Sequence, residues 1–342
     1  VSVRIGLMGF GRIGRNVFRI VYPREDIEVV AISDIAEPKS LEYLLRFDTV
    51  HGRFREPVWV SGQTLYSKGR RIQMLKGKAP GDVDWASLGA DIVIEATGQY
   101  RTRALLEKHL ERGAKRVVLT VPPRDEIDAV VVMGVNDSIL APHMRIVSNG
   151  SCTANALAPI CKVLHEAFGI RRGFMTTVHA YTNELRLADV PAGELRRSRA
   201  APANIIPAST WAPLAVQKVL PELEGRLDGI ALNVPVPDGS TVDLVTLMEE
   251  PVTAEEVNEV VRSAAATRFR NIIEYTDQPI VSSDVIGNPH SAIFDGLATQ
   301  VVEGNLLKTV TWYDNGWGYA NRVVELVLRL AAFEAREVQP VG

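Results

Sequence analysis

Two side chains in this sequence are suited to covalent chemistry. Cys152 lies in Ser148-Asn149-Gly150-Ser151-Cys152-Thr153-Ala154-Asn155, between a strand-like run and an apolar helical stretch. That placement puts its sulfur at a helix N-terminus, where unpaired amides and the dipole favour the thiolate, the form that attacks a carbonyl carbon. His179, in the β-rich run Thr176-Thr177-Val178-His179-Ala180-Tyr181, offers an imidazole able to take the thiol proton. Each residue also has a structural reading. Cysteine is a good small core residue, a strand histidine is commonly structural, and spacing alone does not bring the two together. Cys161 falls inside the helix among Leu157, Pro159 and Val163 and reads as a buried, inert thiol. The other histidines, His51, His109, His143, His165 and His290, read as loop residues or as members of polar helix faces. No Cys/His cluster has metal-ligand spacing, so no metal is expected.

A second constellation is Gly9-Phe10-Gly11-Arg12-Ile13-Gly14, which follows a strand-like run and opens a helical one. Gly9 permits a tight turn, Gly11 lets a pyrophosphate approach the backbone, and Gly14 allows close packing of helix on sheet. The helix N-terminus then presents amide donors to phosphate. Asp34 ends the next strand, where a carboxylate can accept hydrogen bonds from both hydroxyls of an adenine ribose and repel a 2′-phosphate, so NAD is favoured over NADP. A bare glycine triplet also fits a simple tight turn, and Asp34 also fits a turn before Ala36-Glu37-Pro38. The order strand, glycines, helix, strand and aspartate favours the dinucleotide reading.

The elements that must position these residues divide into two patterns. In the first half, Val3–Met8, Ile27–Ser33, Asp91–Glu95, Arg116–Thr120, Ala129–Gly134 and Arg145–Ser148 read as strands, with helices at Arg12–Val21 and Thr102–Arg112. This alternation predicts a Rossmann-type, doubly wound parallel sheet. In the second half a helix from about Thr153 leads to longer alternating runs at Gly173–Tyr181, Gly229–Val236, Val242–Glu249 and Leu307–Tyr313, the pattern of an α+β domain with a mixed or antiparallel sheet. Thr253–Thr267 reads as a helix with Thr253 and Glu256 forming a capping box. The domains expected are residues 1–148, completed by a returning helix within 315–342, and residues 149–314.

The chain has 342 residues, enough for two domains, and 46% of them are hydrophobic. A net charge of -3 gives no electrostatic case for nucleic acid or an anionic membrane. Two cysteines fit a reducing compartment. No apolar run is long enough to span a bilayer, and no basic leader precedes the first strand. A soluble cytoplasmic protein is the expectation.

Taken together, GFGRIG, SNGSCTAN, HAYTN, RRSRAAPANIIPAST, VPVPDGSTVDL and WYDNGWGYANRV resemble the glyceraldehyde-3-phosphate dehydrogenase family over essentially the whole chain. The resemblance implies a cysteine that attacks an aldehyde, hydride transfer to NAD, and cleavage of the resulting thioester by inorganic phosphate. It implies Cys152 as nucleophile and His179 as base. Beyond the glycine loop with Arg12 and Ile13, it implies cofactor contacts at Asp34, Lys78, Thr97, Gly98, Thr120, Asn315 and Tyr319, with Asn315 holding the nicotinamide carboxamide. Val190-Pro191 matches the family's NAD-using pattern, and its members are homotetramers.

On the substrate side the resemblance implies phosphate contacts at Ser151, Thr153, Thr182, Arg197 and Thr210. Four neighbouring positions depart from the family pattern. Asn233 stands for an arginine, Trp211 for a glycine, Gly316 for a glutamate and Ala154 for a threonine. Losing a charge-assisted contact at Asn233 costs about 1.5–3 kcal/mol of phosphate binding. The Trp211 indole needs room, either in the phosphate pocket or turned outward with Arg196, Arg197 or Arg199 supplying the missing charge. Three functions stay open at this point: a phosphorylating dehydrogenase of glyceraldehyde 3-phosphate or a related aldehyde, a non-phosphorylating aldehyde dehydrogenase of the same fold, and a non-enzymatic NAD-binding paralogue.

Overall fold

The computed structural model describes residues 2–337, so the expected terminal stretch 338–342 lies outside the described residues. The chain divides into two compact units. One comprises the chain up to Val131, Asp137–Gly150 and the stretch from Ala320 onward, and the other comprises Val132–Asn136 and Ser151–Tyr319.

In the first unit β1 (Val3–Met8) turns through the glycine loop into α1 (Arg12–Val21) and β2 (Ile27–Ser33). α2 (Pro38–Arg46) follows, with proline in its first turn where no amide hydrogen is needed. A ribbon of β3 (Phe47–Asp48) and β4 (Gly52–Arg53) comes next, then β5 (Trp59–Ser61), β6 (Thr64–Ser67) and β7 (Arg70–Leu75). The chain continues through α3 (Trp85–Leu88), β8 (Ile92–Glu95), α4 (Arg103–Glu111), β9 (Arg116–Leu119), β10 (Ala129–Val130) and β11 (Ile146–Ser148). The sheet order is β10-β11-β9-β8-β1-β2-β7-β6-β5. Its strands run parallel except at the β5–β6–β7 end. β8 and β9 are buried along their whole length, their apolar runs Ile92–Ile94 and Val117–Leu119 matching a two-sided parallel sheet, with Glu95 and Arg116 buried at their ends.

Two expectations for this unit need correction, and one group of strands is additional. The run Ala129–Gly134 leaves the sheet after Val130, because the Asn136 side chain accepts from the Val132 amide and closes a turn there. The antiparallel strands β5–β7 were not read as part of this sheet at all. His109 does not sit on a polar helix face: it is fully buried in α4.

In the second unit α5 (Cys152–Phe168) leads into the long β12 (Ile170–Ala180). Then come β13 (Ile206–Ala208), α6 (Ala212–Val219), β14 (Leu227–Val234), β15 (Ser240–Met248), α7 (Ala254–Ala266), β16 (Ile273–Thr276), β17 (Ala292–Asp295), β18 (Gln300–Val302) and β19 (Leu306–Tyr313). The sheet runs β13-β14-β12-β15-β19-β17-β16, with β18 beside β19. It is mixed, since β12–β14 and β16–β17 are parallel and the other pairs antiparallel. α5 packs across β12, β15, β17 and β19. α7 starts with the expected capping box of Thr253 and Glu256. α8 (Trp317–Glu337) closes the described chain, its stretch from Ala320 onward belonging to the first unit. No helix among the described residues is long and apolar enough to cross a membrane.

Candidate active site

Cys152 is the first residue of α5, and Ser151 is its N-cap, with Oγ accepting from the Ala154 amide at 3.1 Å. His179 lies one residue from the end of β12, on the same face as Thr177 by strand alternation. The fold brings the two together: Cys152 Sγ is 3.5 Å from His179 Nε2. His179 Nδ1 is 2.6 Å from the Ala180 carbonyl oxygen. A carbonyl can only accept, so Nδ1 carries the hydrogen and the Nε2 lone pair faces the sulfur. This is the tautomer of a base waiting for the thiol proton.

The sulfur needs such a partner. Cys152 keeps some exposure to solvent, but the protein packed around its sulfur pushes the thiol up to about 11. Hydrogen bonds from the Thr153 side chain and amide and from the amide of Cys152 itself pull the other way, and nearby Asp238 adds to the rise. At neutral pH the thiol keeps its proton until a neighbour takes it. Cys161, fully buried in α5, is pushed up to about 12 by burial alone.

Two residues absent from the sequence reading support this pair. The Tyr313 hydroxyl bridges Thr153 Oγ1 at 2.9 Å and Thr177 Oγ1 at 2.8 Å, tying the first turn of α5 to β12. Its ring meets the His179 imidazole edge-on at 6.1 Å. Burial holds this phenol well above its ordinary range, so it stays a neutral hydroxyl. Ser240 Oγ accepts from the Ala180 amide at 3.0 Å and donates to Asn315 Oδ1 at 2.8 Å. Asn315 is thereby oriented from the strand that carries His179. The only sequence signal for either residue was its place inside VPVPDGSTVDL or WYDNGWGYANRV.

The expected phosphate-side residues are distributed unevenly. Ser151 and Thr153 flank the sulfur as N-cap and first-turn residue. Asn233 is in register with His179 across β12 and β14, and its Nδ2 donates to the Ile206 carbonyl of β13 at 3.3 Å. Thr210 precedes α6, whose N-cap is Trp211, and its Oγ1 accepts from the Ala212 amide at 3.2 Å. The Trp211 indole lies against its own helix, with Lys218 Nζ 5.1 Å from the ring centroid, on the side where Lys218 is exposed. Thr182 opens the turn after β12, and its carbonyl accepts from the Leu185 amide. Arg197 pairs with Glu184 at 2.8 Å and Glu194 at 3.0 Å, and Arg199 pairs with Asp189 at 3.2 Å. Two of the cations considered as replacements at position 233 are therefore engaged by carboxylates.

Of the expected cofactor positions, all but Asn315 and Tyr319 lie in the first unit. Gly9 has a left-handed backbone (φ 93°), and a side chain there would strike Ala96 and Thr97. A Cβ at Gly14 would run into the Gly9 carbonyl oxygen. A Cβ at Gly11 would meet nothing in this chain. Gly11 is the N-cap of α1 and offers no side-chain acceptor to the amides of Arg12, Ile13 and Gly14. Asp34 Oδ2 accepts from the Phe10 amide at 2.7 Å, which sets its carboxylate against the glycine loop. Thr97, Gly98 and Thr120 follow the C-terminal ends of β8 and β9, the edge where open α/β sheets bind ligands. Lys78 is exposed, and its carbonyl accepts from the Tyr100 hydroxyl. These residues fit a dinucleotide: the amide-donating N-terminus of α1 for phosphate and an acceptor for ribose hydroxyls.

Comparison with known proteins agrees with this arrangement. Residues 3–103 match the family model for the glyceraldehyde 3-phosphate dehydrogenase NAD binding domain, and residues 151–315 match that for its C-terminal domain. The chain is 47% identical over 333 residues to glyceraldehyde-3-phosphate dehydrogenase of Geobacillus stearothermophilus, covering 97% of this chain and 99% of that protein. It is 48% identical over 335 residues to the Borreliella burgdorferi protein of the same name, covering 96% and 99%. The first of the two Bacillus subtilis proteins so named is 46% identical over 332 residues, covering 97% and 99%. An NAD-binding sheet, a mixed-sheet domain holding a cysteine beside a histidine, and near full-length similarity have one explanation: this chain belongs to the glyceraldehyde-3-phosphate dehydrogenase family.

Proposed function

We propose that this protein oxidises glyceraldehyde 3-phosphate, or a closely related aldehyde, to an acyl phosphate in an NAD-dependent reaction through a thioester on Cys152. The observation that carries this reading is the 3.5 Å approach of Cys152 Sγ to His179 Nε2, with Nδ1 fixed by the Ala180 carbonyl. His179 takes the thiol proton as sulfur attacks the aldehyde carbon. The resulting imidazolium can return a proton to the developing alkoxide, beside the first-turn amides of α5. NAD, when bound, would supply the hydride acceptor for the hemithioacetal carbon, while His179 takes back the hydroxyl proton so that the thioester carbonyl forms. Inorganic phosphate then attacks the thioester, and the sulfur leaves as the thiolate to be reprotonated.

The glycine loop, Arg12, Ile13, Asp34, Lys78, Thr97, Gly98 and Thr120 are proposed to hold the dinucleotide. Asn315, whose Oδ1 accepts from Ser240 and whose Nδ2 could donate to a carboxamide, and Tyr319 are proposed for the nicotinamide end. Ser151, Thr153, Thr182, Arg197 and Thr210 are proposed for the phosphates, with Asn233 a neutral member. A homotetramer in the cytoplasm fits the reading. Phe174 on β12 and Ile230 on neighbouring β14 are 70% and 49% exposed, as expected of a sheet face that another subunit covers.

The phosphate dependence of NADH formation tests the activity. Turnover of glyceraldehyde 3-phosphate that requires added phosphate or arsenate supports it, and phosphate-independent turnover rejects it. A non-phosphorylating reaction is the second reading, favoured by neutral Asn233 and by the engagement of Arg197 and Arg199 with carboxylates. A panel of aldehydes with and without phosphate groups separates the two.

A further inference from the structure

The buried His109 belongs to a chain of directed hydrogen bonds that ends at the proposed dinucleotide rim. Glu95, the last residue of β8, is fully buried. Its Oε1 accepts both the amide of Thr97, at 2.9 Å, and the Thr97 hydroxyl. Its main-chain carbonyl accepts the Thr120 amide at 3.1 Å and the Thr120 hydroxyl at 3.0 Å. Its Oε2 lies 3.1 Å from His109 Nε2, and His109 Nδ1 lies 3.0 Å from Trp85 Nε1. An indole N–H only donates, so Nδ1 accepts, Nε2 carries the hydrogen, and the Glu95 carboxylate accepts along its whole length. Every proton in the chain thus has one direction.

The chain is anchored at its far end. Trp85 is fully buried, and a Cβ at Gly6 of β1 would strike its ring, so the indole packs directly on the strand that leads into the glycine loop. At the near end, Gln99 N donates to Thr97 Oγ1 at 3.1 Å and Gly98 takes a left-handed backbone (φ 71°). Thr97 also backs directly onto Gly9. Among the described residues, the titratable side chain beside the Glu95 carboxylate is the neutral His109, with no lysine or arginine. A buried carboxylate held by such a network is costly, and what it secures is a single geometry.

We propose that Glu95, His109 and Trp85 are positioning residues that lock the Thr97–Gly98–Gln99 turn and Thr120 in the shape that receives NAD. This rests on the reading above that Thr97, Gly98 and Thr120 contact the dinucleotide. Glu95→Gln sets an amide donor against the donors of either Thr97 or His109. If His109 changes tautomer to accept it, Nδ1–H then opposes the Trp85 N–H. His109→Leu removes both bonds of the imidazole, whereas His109→Gln can still accept from Trp85 and donate to Glu95.

The experiment measures the NAD dissociation constant by equilibrium titration, kcat at saturating NAD, thermal midpoint and tryptophan emission, each referenced to a Trp85→Phe control. Glu95→Gln and His109→Leu are expected to weaken NAD binding about ten- to a hundredfold, with kcat at saturating NAD within about threefold. His109→Gln is expected within about threefold of wild type. Trp85 emission should shift to shorter wavelength in His109→Leu but not in His109→Gln. Wild-type NAD affinity in folded Glu95→Gln, or equal losses in His109→Gln and His109→Leu, overturns the proposal. Should His109→Leu not fold, Glu95→Gln against His109→Gln decides the matter. Thr97→Gly and Thr120→Val separate the levels. If they bind NAD as wild type does, the rim assignment itself is wrong and the proposal falls with it. If they weaken binding while Glu95→Gln does not, the rim stands and only the relay falls.

Discussion

Replacing His179 by asparagine removes the only described nitrogen at the Cys152 sulfur that can both accept its proton and lie in the orientation set by Ala180. Burial pushes this thiol up to about 11, so at about pH 7.5 the free thiolate is scarce, under ~1 in 1,000 molecules, and attack depends on a base that takes the proton in place. In the wild type the imidazole takes the proton in place, and the sulfur is nucleophilic without that tax. Iodoacetamide alkylation of Cys152 should therefore slow by about two to three powers of ten in His179→Asn at pH 7.5. Its pH–rate midpoint should also move up toward the thiol value. Turnover, kcat/KM, should fall by about 100- to 10,000-fold, the usual worth of a positioned base. Alkylation is followed by mass spectrometry of the Cys152 peptide, with His109→Gln as a histidine-removal control. An unchanged alkylation rate and an unchanged midpoint would refute the claim that His179 activates this sulfur.

Further expectations concern binding, packing and pH. Asp34→Ala removes the acceptor set against the glycine loop and should weaken NAD about tenfold or more while improving NADP relative to NAD, measured as a ratio of dissociation constants. Asn233→Arg should lower the KM for the phosphorylated aldehyde about tenfold if position 233 limits phosphate binding; an unchanged KM removes that position from the substrate account. Tyr313→Phe leaves the buried Thr153 and Thr177 hydroxyls without their shared partner and should lower stability by about 1–3 kcal/mol in chemical denaturation, with a fall in kcat. Cys161, raised from 9.0 to about 12 by burial, binds its proton more tightly folded than unfolded. Its contribution is therefore complete below about pH 9 and is lost as pH rises toward 12. By about pH 10 the loss is ~1.4 kcal/mol, and Cys161→Ala should show a flatter stability decline over that range.

Much of the first unit was legible because parallel strands buried on both faces must be continuous apolar runs, and β1, α1 and β2 appear at the expected residues. β5–β7 were not legible: they are short, partly exposed and polar, so neither apolar continuity nor clean alternation marks them. In the second unit the apolar run predicted a helix from about Thr153, and the structure starts it one residue earlier, at Cys152, with Ser151 as the N-cap. The Cys152–His179 contact could not be read from spacing, since it depends on β12 folding back beneath α5. His109 was misread because its helix has charged neighbours on both sides, and its partners, Glu95 and Trp85, are tertiary. The environments of Trp211 and Arg197 were likewise matters of which side chains the turns bring together, Lys218 in one case and Glu184 with Glu194 in the other.

The central claim is that the aldehyde carbon becomes bonded to the sulfur of Cys152 before phosphate takes part. The most direct measurement is a single turnover with NAD and glyceraldehyde 3-phosphate in the absence of phosphate, quenched in acid and analysed by mass spectrometry of the intact chain and its peptides. The account predicts a burst of about one NADH per chain, an acyl mass on the Cys152 peptide, and discharge of both adduct and burst limit on adding phosphate. Steady NADH formation with no adduct at Cys152, or equal turnover by Cys152→Ala, would contradict it.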